Sequence, residues 1–413
     1  MNRKSIGIAL VLSGSPIIYF FRDGLGLSPE YFFFTGTFMF LFLLFLLSKD
    51  IMLNLKIQKP NMVLFYLTCF YWLIVTNYFL LSDYPDKNKD IFYFLYLLTY
   101  FLLLLFVRDE EVKFIYISFL LSTFLSNFIF IYFFKTLFTS ITFREIGSRA
   151  YIGQEKGNPN LYANIAYYGI IASLFTLKKA YKQMYKILAF INIPLSLLVI
   201  LLTQNRTVLI VLLIVVICFI VKEILHILTS FKVKKIDLFK IIKIFAIFIF
   251  FFLLIFVIIP QDILSIYFSN YSIYLEGLLL NLSGKVGDQS SIQRIDAFNM
   301  IINELKTVPE NYLLGMGYKY EWLDIPFLQA FRDLGFLGGF VFLIFHAIVV
   351  SYVIRYLFLK RNIDLNFISL LLLLYILIFF NCMAHGQPYD LSHWLLLITI
   401  VRFLKLPKNG KVN

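Results

Sequence analysis

Long apolar runs, each bounded by charged or turn-forming residues, recur from one end of the chain to the other. They fall near residues 5–21, 30–47, 61–81, 91–107, 114–134, 160–177, 187–203, 207–221, 244–259, 334–354, 363–380 and 392–404. A helix that crosses a bilayer needs about 20 mainly apolar residues. The pattern therefore predicts an all-α polytopic membrane protein with about twelve transmembrane helices, residues 1–413 forming a single integral membrane domain.

One stretch departs from this rhythm. Residues 260–333 form a polar interval much longer than a link between neighbouring spans requires, and it carries helical signals of its own. Ser290-Ser291-Ile292-Gln293 matches a capping box, and Ile295, Phe298, Ile302 and Leu305 follow at helical spacing. These predict an amphipathic helix of about four turns that stops before Pro309, because the residue preceding a proline is disfavoured in the α region. Gly315-Met316-Gly317 then reads as a turn that returns the chain to the membrane.

Composition agrees with a bilayer environment. Hydrophobic residues make up 61% of the chain and charged residues only 15%, against roughly 25% charged in soluble domains. That excludes a soluble catalytic domain. The net charge of +13 would suggest nucleic acid in a soluble protein, but the basic residues cluster in short links between apolar runs, so no nucleic-acid partner is expected. Most of the 37 Lys and Arg residues fall on the face that holds the N-terminus and the links near 48–60, 108–113, 178–186, 222–243, 355–362 and 402–413. By the positive-inside rule this face is cytoplasmic, both termini included, and the long loop lies outside. Asn2-Arg3-Lys4 and the apolar run after it mimic a secretory signal, but no small-residue cleavage site follows, so this segment reads as an uncleaved first span. Cys69, Cys218 and Cys382 have no metal-ligand spacing and indicate neither a disulfide framework nor a zinc site.

Polar chemistry is sought on the outer face. The predicted helix start places Arg294 in its first turn, where unpaired N–H groups already favour an anion. A guanidinium there makes sense if a phosphate or pyrophosphate bridges it and the helix start, although a solvated surface arginine would look the same. Arg206 lies in the short outer link Thr203-Gln204-Asn205-Arg206-Thr207, against the charge bias of that face. Anion binding and harmless snorkelling both fit it. Arg149 precedes a glycine- and asparagine-rich segment, Gly153 to Asn160, in which Asn158 and Asn160 suit turns and caps as well as ligands. Glu321 and Asp324 sit where the chain re-enters the membrane, and either could accept a proton from a hydroxyl. Asp324 would also serve as a helix N-cap ahead of Pro326. His385 flanks the last outer link. The histidines are isolated, and no Gly-rich phosphate loop or Gly-x-Ser-x-Gly elbow occurs, so no metal and no cofactor is expected.

With these residues in this order, the chain resembles the bacterial O-antigen polymerase and O-antigen ligase superfamily of integral membrane glycosyltransferases. The resemblance spans most of residues 145–345. It rests on Arg149 through Gly153 to Asn158-Pro159-Asn160, on Gln204-Asn205-Arg206, on Arg294 through Pro309 to Leu314-Gly315-Met316-Gly317, and on Asp324 through Leu328 to Gly335 and Gly338. It implies a fold of the lipid-carrier-dependent (GT-C-like) glycosyltransferase kind and a glycan on undecaprenyl pyrophosphate as substrate. The reaction would take place on the outer face of the cytoplasmic membrane, with a chain-length regulator and a flippase as protein partners. Arg206 and Arg294 are then candidates to stabilise the leaving group, and Asp324 is the candidate base. Arg149, Asn158, Asn160, Glu321 and His385 are candidates for substrate binding. Ligases are expected to carry a histidine near the re-entry segment, and Asp324 stands there instead, which favours a polymerase. A ligase remains the first alternative. A flippase or other transporter is the second, disfavoured because the spans are almost free of internal charge and the polar residues gather on one face.

Overall fold

The computed structural model describes residues 2–21, 31–47, 57–84, 87–134, 159–180, 182–203, 205–229, 289–308, 310–359 and 366–404. All regular structure among them is helical. The helices are α1 (Arg3–Ser13), α2 (Ser15–Tyr19), α3 (Tyr31–Leu44), α4 (Met62–Leu81), α5 (Lys87–Leu104), α6 (Ile115–Phe134), α7 (Pro159–Lys179), α8 (Gln183–Leu202) and α9 (Arg206–Thr229). They continue with α10 (Gln289–Thr307), α11 (Glu310–Leu314), α12 (Pro326–Val353), α13 (Phe367–Ala384) and α14 (Leu391–Phe403). Four segments among the described residues are long and apolar enough to cross a membrane, namely Met62–Leu81, Gln183–Leu202, Pro326–Leu357 and Phe367–Ala384. The predicted run at 244–259 lies outside the described residues.

Several boundaries differ from expectation for local reasons. The first apolar run is two helices, because Ser15-Pro16 restarts the chain after Gly14 has ended α1. Helix α10 begins by Gln289, so Ser290 is inside it instead of capping it, and Arg294 falls in the second turn, beyond the exposed N–H groups. Its end at Thr307, short of Pro309, agrees with the proline argument. The buried face of α10 is also rotated from the predicted stripe. Among the described side chains of α10, Ile301 is the deeply buried one, packing with Tyr312 and Leu323, whereas Phe298 and Leu305 are exposed.

The long helices run alternately up and down, and two sets of polar contacts mark the two ends of the bundle. At one end Lys4 Nζ meets Glu111 at 2.9 Å, Arg402 donates to the Leu104 carbonyl at 3.1 Å and to Asp109 at 3.3 Å, and Lys222 donates to the Leu357 carbonyl at 2.9 Å. At the other end Tyr71 donates to the Pro388 carbonyl at 3.0 Å, Tyr78 donates to the Leu314 carbonyl, and Lys319 meets Asp90. Chain direction brings the start of α7, the start of α9, the segment 310–325 and the link between α13 and α14 to this second end.

Between the ends the packing is aromatic and small-polar. Tyr71 stacks on Trp394 with centroids 4.9 Å apart. Asn127 on α6 donates to Asn192 at 2.9 Å and Ser196 at 2.8 Å on α8, and Asn192 donates to Ser173 on α7 at 3.1 Å. Side-chain hydrogen bonds of this sort join helices where lipid offers no competing partner.

Candidate functional site

Helix α12 does not run unbroken. Gly335 has φ 68° and ψ −176°, a conformation essentially confined to glycine. The break frees the carbonyls of Arg332 and Asp333 from the helical ladder, and they accept from the Met316 N–H at 2.8 Å and the Gly317 N–H at 3.0 Å. Gly315, at φ 85°, lies directly against Gly335. Irregular backbone of this kind is tolerated at membrane depth only where protein or an aqueous cavity satisfies it. Here the turn at residues 315–317 does so, and it leaves Arg332 and Asp333 on the short piece of α12 ahead of the break.

Arg332 is only 2% exposed. Its Nη2 donates to Glu304 Oε1 on α10 and to Glu321 Oε2, both at 2.8 Å. Tyr312 donates to the other oxygen of Glu304 at 2.7 Å. The Tyr320 ring covers the guanidinium, with Cζ 5.2 Å from its centroid. Arg332 Nε and Nη1 have no hydrogen-bond partner among the described residues. Asp333 accepts from Tyr389 and, at 3.1 Å, from Gln329, while its Oδ1 also lacks a partner among the described residues. Unused donor and acceptor capacity on adjacent buried residues is costly and needs an explanation.

Asp333 leads through Tyr389 to a second group. The rings of Tyr389 and Tyr318 lie 4.6 Å apart, and Tyr318 donates to Asp90 at 3.2 Å. Lys319, in the left-handed region at φ 53°, meets both Asp90 oxygens at 2.9 and 2.8 Å. Burial, reinforced by Asp90, pushes the Tyr318 phenol up, and burial reinforced by Asp333 does the same to Tyr389. Both therefore stay protonated donors. Burial pushes Asp390 up to about 6, against the opposing influence of the Gln387 N–H that it accepts at 2.8 Å. These residues border a cavity of about 430 Å³ whose far wall comes from α1, α2 and α3.

The residues expected from sequence are placed unevenly. Asp324 does not cap α12. The N-cap is Ile325, and Asp324 stands before it at φ 56°, where its Oδ1 accepts from the Trp322 indole N–H. Glu321 accepts from Arg332 Nη2 at 2.8 Å, so it is a partner of the arginine. Asn160 accepts from Asn205 Nδ2 at 2.9 Å, and Asn205 Oδ1 accepts from the Val208 N–H at 2.9 Å, which caps α9 and sets Arg206 as its first residue. His385 occupies the C-cap of α13, its N–H donating to the Asn381 carbonyl at 2.9 Å. Arg294 lies on α10, its side chain beyond the described part, and Arg149 and Asn158 fall outside the described residues. Glu321, Asp324, His385, Asn160 and Arg206 thus share one end of the bundle, where Glu321 makes a direct contact with Arg332.

Arg332, Asp333, Glu304, Asp90 and Lys319 escaped the sequence reading. Arg332 and Asp333 look there like the polar edge of the span predicted at 334–354. The signal that marks them is a pair of charges directly ahead of Gly335, Gly338 and Gly339. No family model matches the chain, and neither a curated protein nor a solved structure matches it.

Proposed function

We propose that this chain is a polysaccharide polymerase of the bacterial cytoplasmic membrane, joining undecaprenyl-pyrophosphate-linked oligosaccharide repeat units at its outer face. The single observation carrying this reading is the buried Arg332, with two donor nitrogens unused among the described residues, held by Glu304 and Glu321 at one end of the bundle. Nε and Nη1 of Arg332 keep donor capacity for an anion while Glu304 and Glu321 offset its charge, so Arg206 and Arg294 supply the net positive charge, and a prenyl tail has apolar helices to lie against. About twelve spans, cytoplasmic termini and a lipid-carrier glycosyltransferase architecture belong to the same proposal.

In the proposed reaction an acceptor hydroxyl attacks the anomeric carbon of the donor sugar. The bond from that carbon to the pyrophosphate oxygen breaks, and the electron pair leaves with undecaprenyl pyrophosphate. Arg332 donates from its unused nitrogens to the departing oxygen, with Arg206 and Arg294 as further cations. Asp324 takes the hydroxyl proton, a contribution of about 10²–10⁴-fold for a positioned carboxylate. Cells carrying Arg332→Lys should accumulate lipid-linked single repeats and lose the ladder of longer chains, at near-normal protein level. A full ladder from that variant refutes the assignment. Reporter fusions after Glu310 and after Arg108 should report outside and inside respectively, and the reverse would remove the external site.

A further inference from the structure

The cavity beside Asp90 has a chemistry that the polymerase reading does not use. Its volume of about 430 Å³ falls within the roughly 300–1,000 Å³ of small-molecule sites. One wall offers Lys89, Asp90, Gln387 and Asp390, together with the rings of Tyr84 and Tyr93, and the opposite wall is mainly apolar, with Leu10, Ile18, Met39 and Phe42 beside Ser15, Tyr19 and Thr35.

The charges on the polar wall cancel. Lys319 is bound through both oxygens of Asp90, which is itself only 3% exposed. Of the other formal charges, Lys89 and Asp390 have opposite signs. Such a wall has little to attract a pyrophosphate. It does combine acceptors, donors and an amide that is both, which is what hydroxyl groups require, since each hydroxyl gives one hydrogen bond and accepts others. Flat tyrosine faces and the apolar side chains of the far wall suit the C–H faces of a ring, and Ser15 and Thr35 add hydroxyls beside them. Tyr389 borders the cavity and also donates to Asp333, the neighbour of Arg332, so the cavity adjoins the arginine cluster through one side chain.

We propose that this cavity binds an uncharged sugar ring at the end of an acceptor glycan. Its acceptor role rests on the polymerase reading, while sugar binding itself does not. The test is saturation-transfer NMR on the full chain in nanodiscs of phosphatidylethanolamine and phosphatidylglycerol. The probes are a panel of neutral methyl disaccharides, with inorganic pyrophosphate as competitor. At least one glycoside should receive saturation on its ring protons. Gln387→Ala should lower that signal about fivefold, the effect of roughly one lost hydrogen bond, and Ser392→Trp, which adds an indole at a lining position, should lower it at least as much. Pyrophosphate should not displace the sugar. Absence of transfer to every glycoside, equal transfer in wild type and both variants, or displacement by pyrophosphate overturns the proposal. A chain that binds sugar in this way yet never lengthens glycans in cells sustains the site and sinks the polymerase reading. A normal ladder without sugar binding does the opposite.

Discussion

Gly315 and Gly335 touch backbone to backbone. A Cβ on Gly335 would stand 2.7 Å from the Leu313 carbonyl oxygen, and one on Gly315 would stand 2.5 Å from the Gly335 nitrogen. This contact breaks α12 and orients Arg332 and Asp333.

Both glycines should therefore resist substitution more than their neighbour. Gly335→Ala and Gly315→Ala each add a backbone collision to positive-φ strain of about 1–3 kcal/mol. Gly317, at φ 117°, has nothing within 4 Å of its would-be Cβ, so Gly317→Ala carries strain alone. Melting temperatures in detergent should fall further for Gly315→Ala than for Gly317→Ala. Equal losses would mean that the close approach is unimportant.

Arg332 holds α10 and residue 321 to α12, so its removal affects both fold and chemistry. Arg332→Met leaves Glu304, 25% exposed, and Glu321, 53% exposed, without their cation. The loss should stay below the about 3–5 kcal/mol of a fully buried pair, because both carboxylates reach solvent. Arg332→Lys keeps the charge and enough donors for the two carboxylates that Nη2 alone serves, but it lacks the nitrogens left unused at Nε and Nη1. It should restore most of the melting temperature and little of the polymer. Restoration of both by lysine would reduce Arg332 to a clamp.

Asp324→Asn isolates a proton acceptor from its setting. Asparagine is among the few residues that accept the left-handed backbone, so φ 56° at residue 324 costs it little. Its amide oxygen can still accept from Trp322. Protein level and melting temperature should be unchanged, while polymer length collapses to single repeats on an immunoblot. An unaltered ladder would remove Asp324 as the base and leave it a turn residue.

Asp390 supplies a pH dependence. Its folded-state pKa is raised from 3.8 to about 6, so between these values the folded protein binds more protons than the unfolded chain. Stability should then be greatest below about pH 4 with respect to this group, and decline as pH rises through about 6. Asp390→Asn keeps an oxygen for the Gln387 N–H and abolishes that slope. Melting temperature recorded from pH 4 to 7 should fall more steeply in wild type than in the variant. Parallel curves would show that Asp390 titrates normally.

Much of the helical framework was legible because its signals are local. The run at 61–81 became Met62–Leu81, with Asn61 accepting from the Leu64 N–H at its start, and α10 ended before Pro309. Hydropathy and proline sterics act within one turn or one span, so neighbours in sequence suffice to read them. They also sufficed to direct attention to the segment before α12, where Glu321 and Asp324 lie.

Only the tertiary structure decided which polar residues meet. The break at Gly335 depends on Gly315 across the fold, and the commitment of Glu321 to Arg332 depends on how α10 packs. The face of α10 that turns inward, Ile301 and not Phe298, was set by Tyr312 and Leu323 beyond its end. Asp90 joins Lys319 although 229 positions separate them in the sequence. Periodicity records that a face is apolar, and composition records that a charge exists. Which partner neutralises that charge is fixed by long-range packing, and no local pattern carries it.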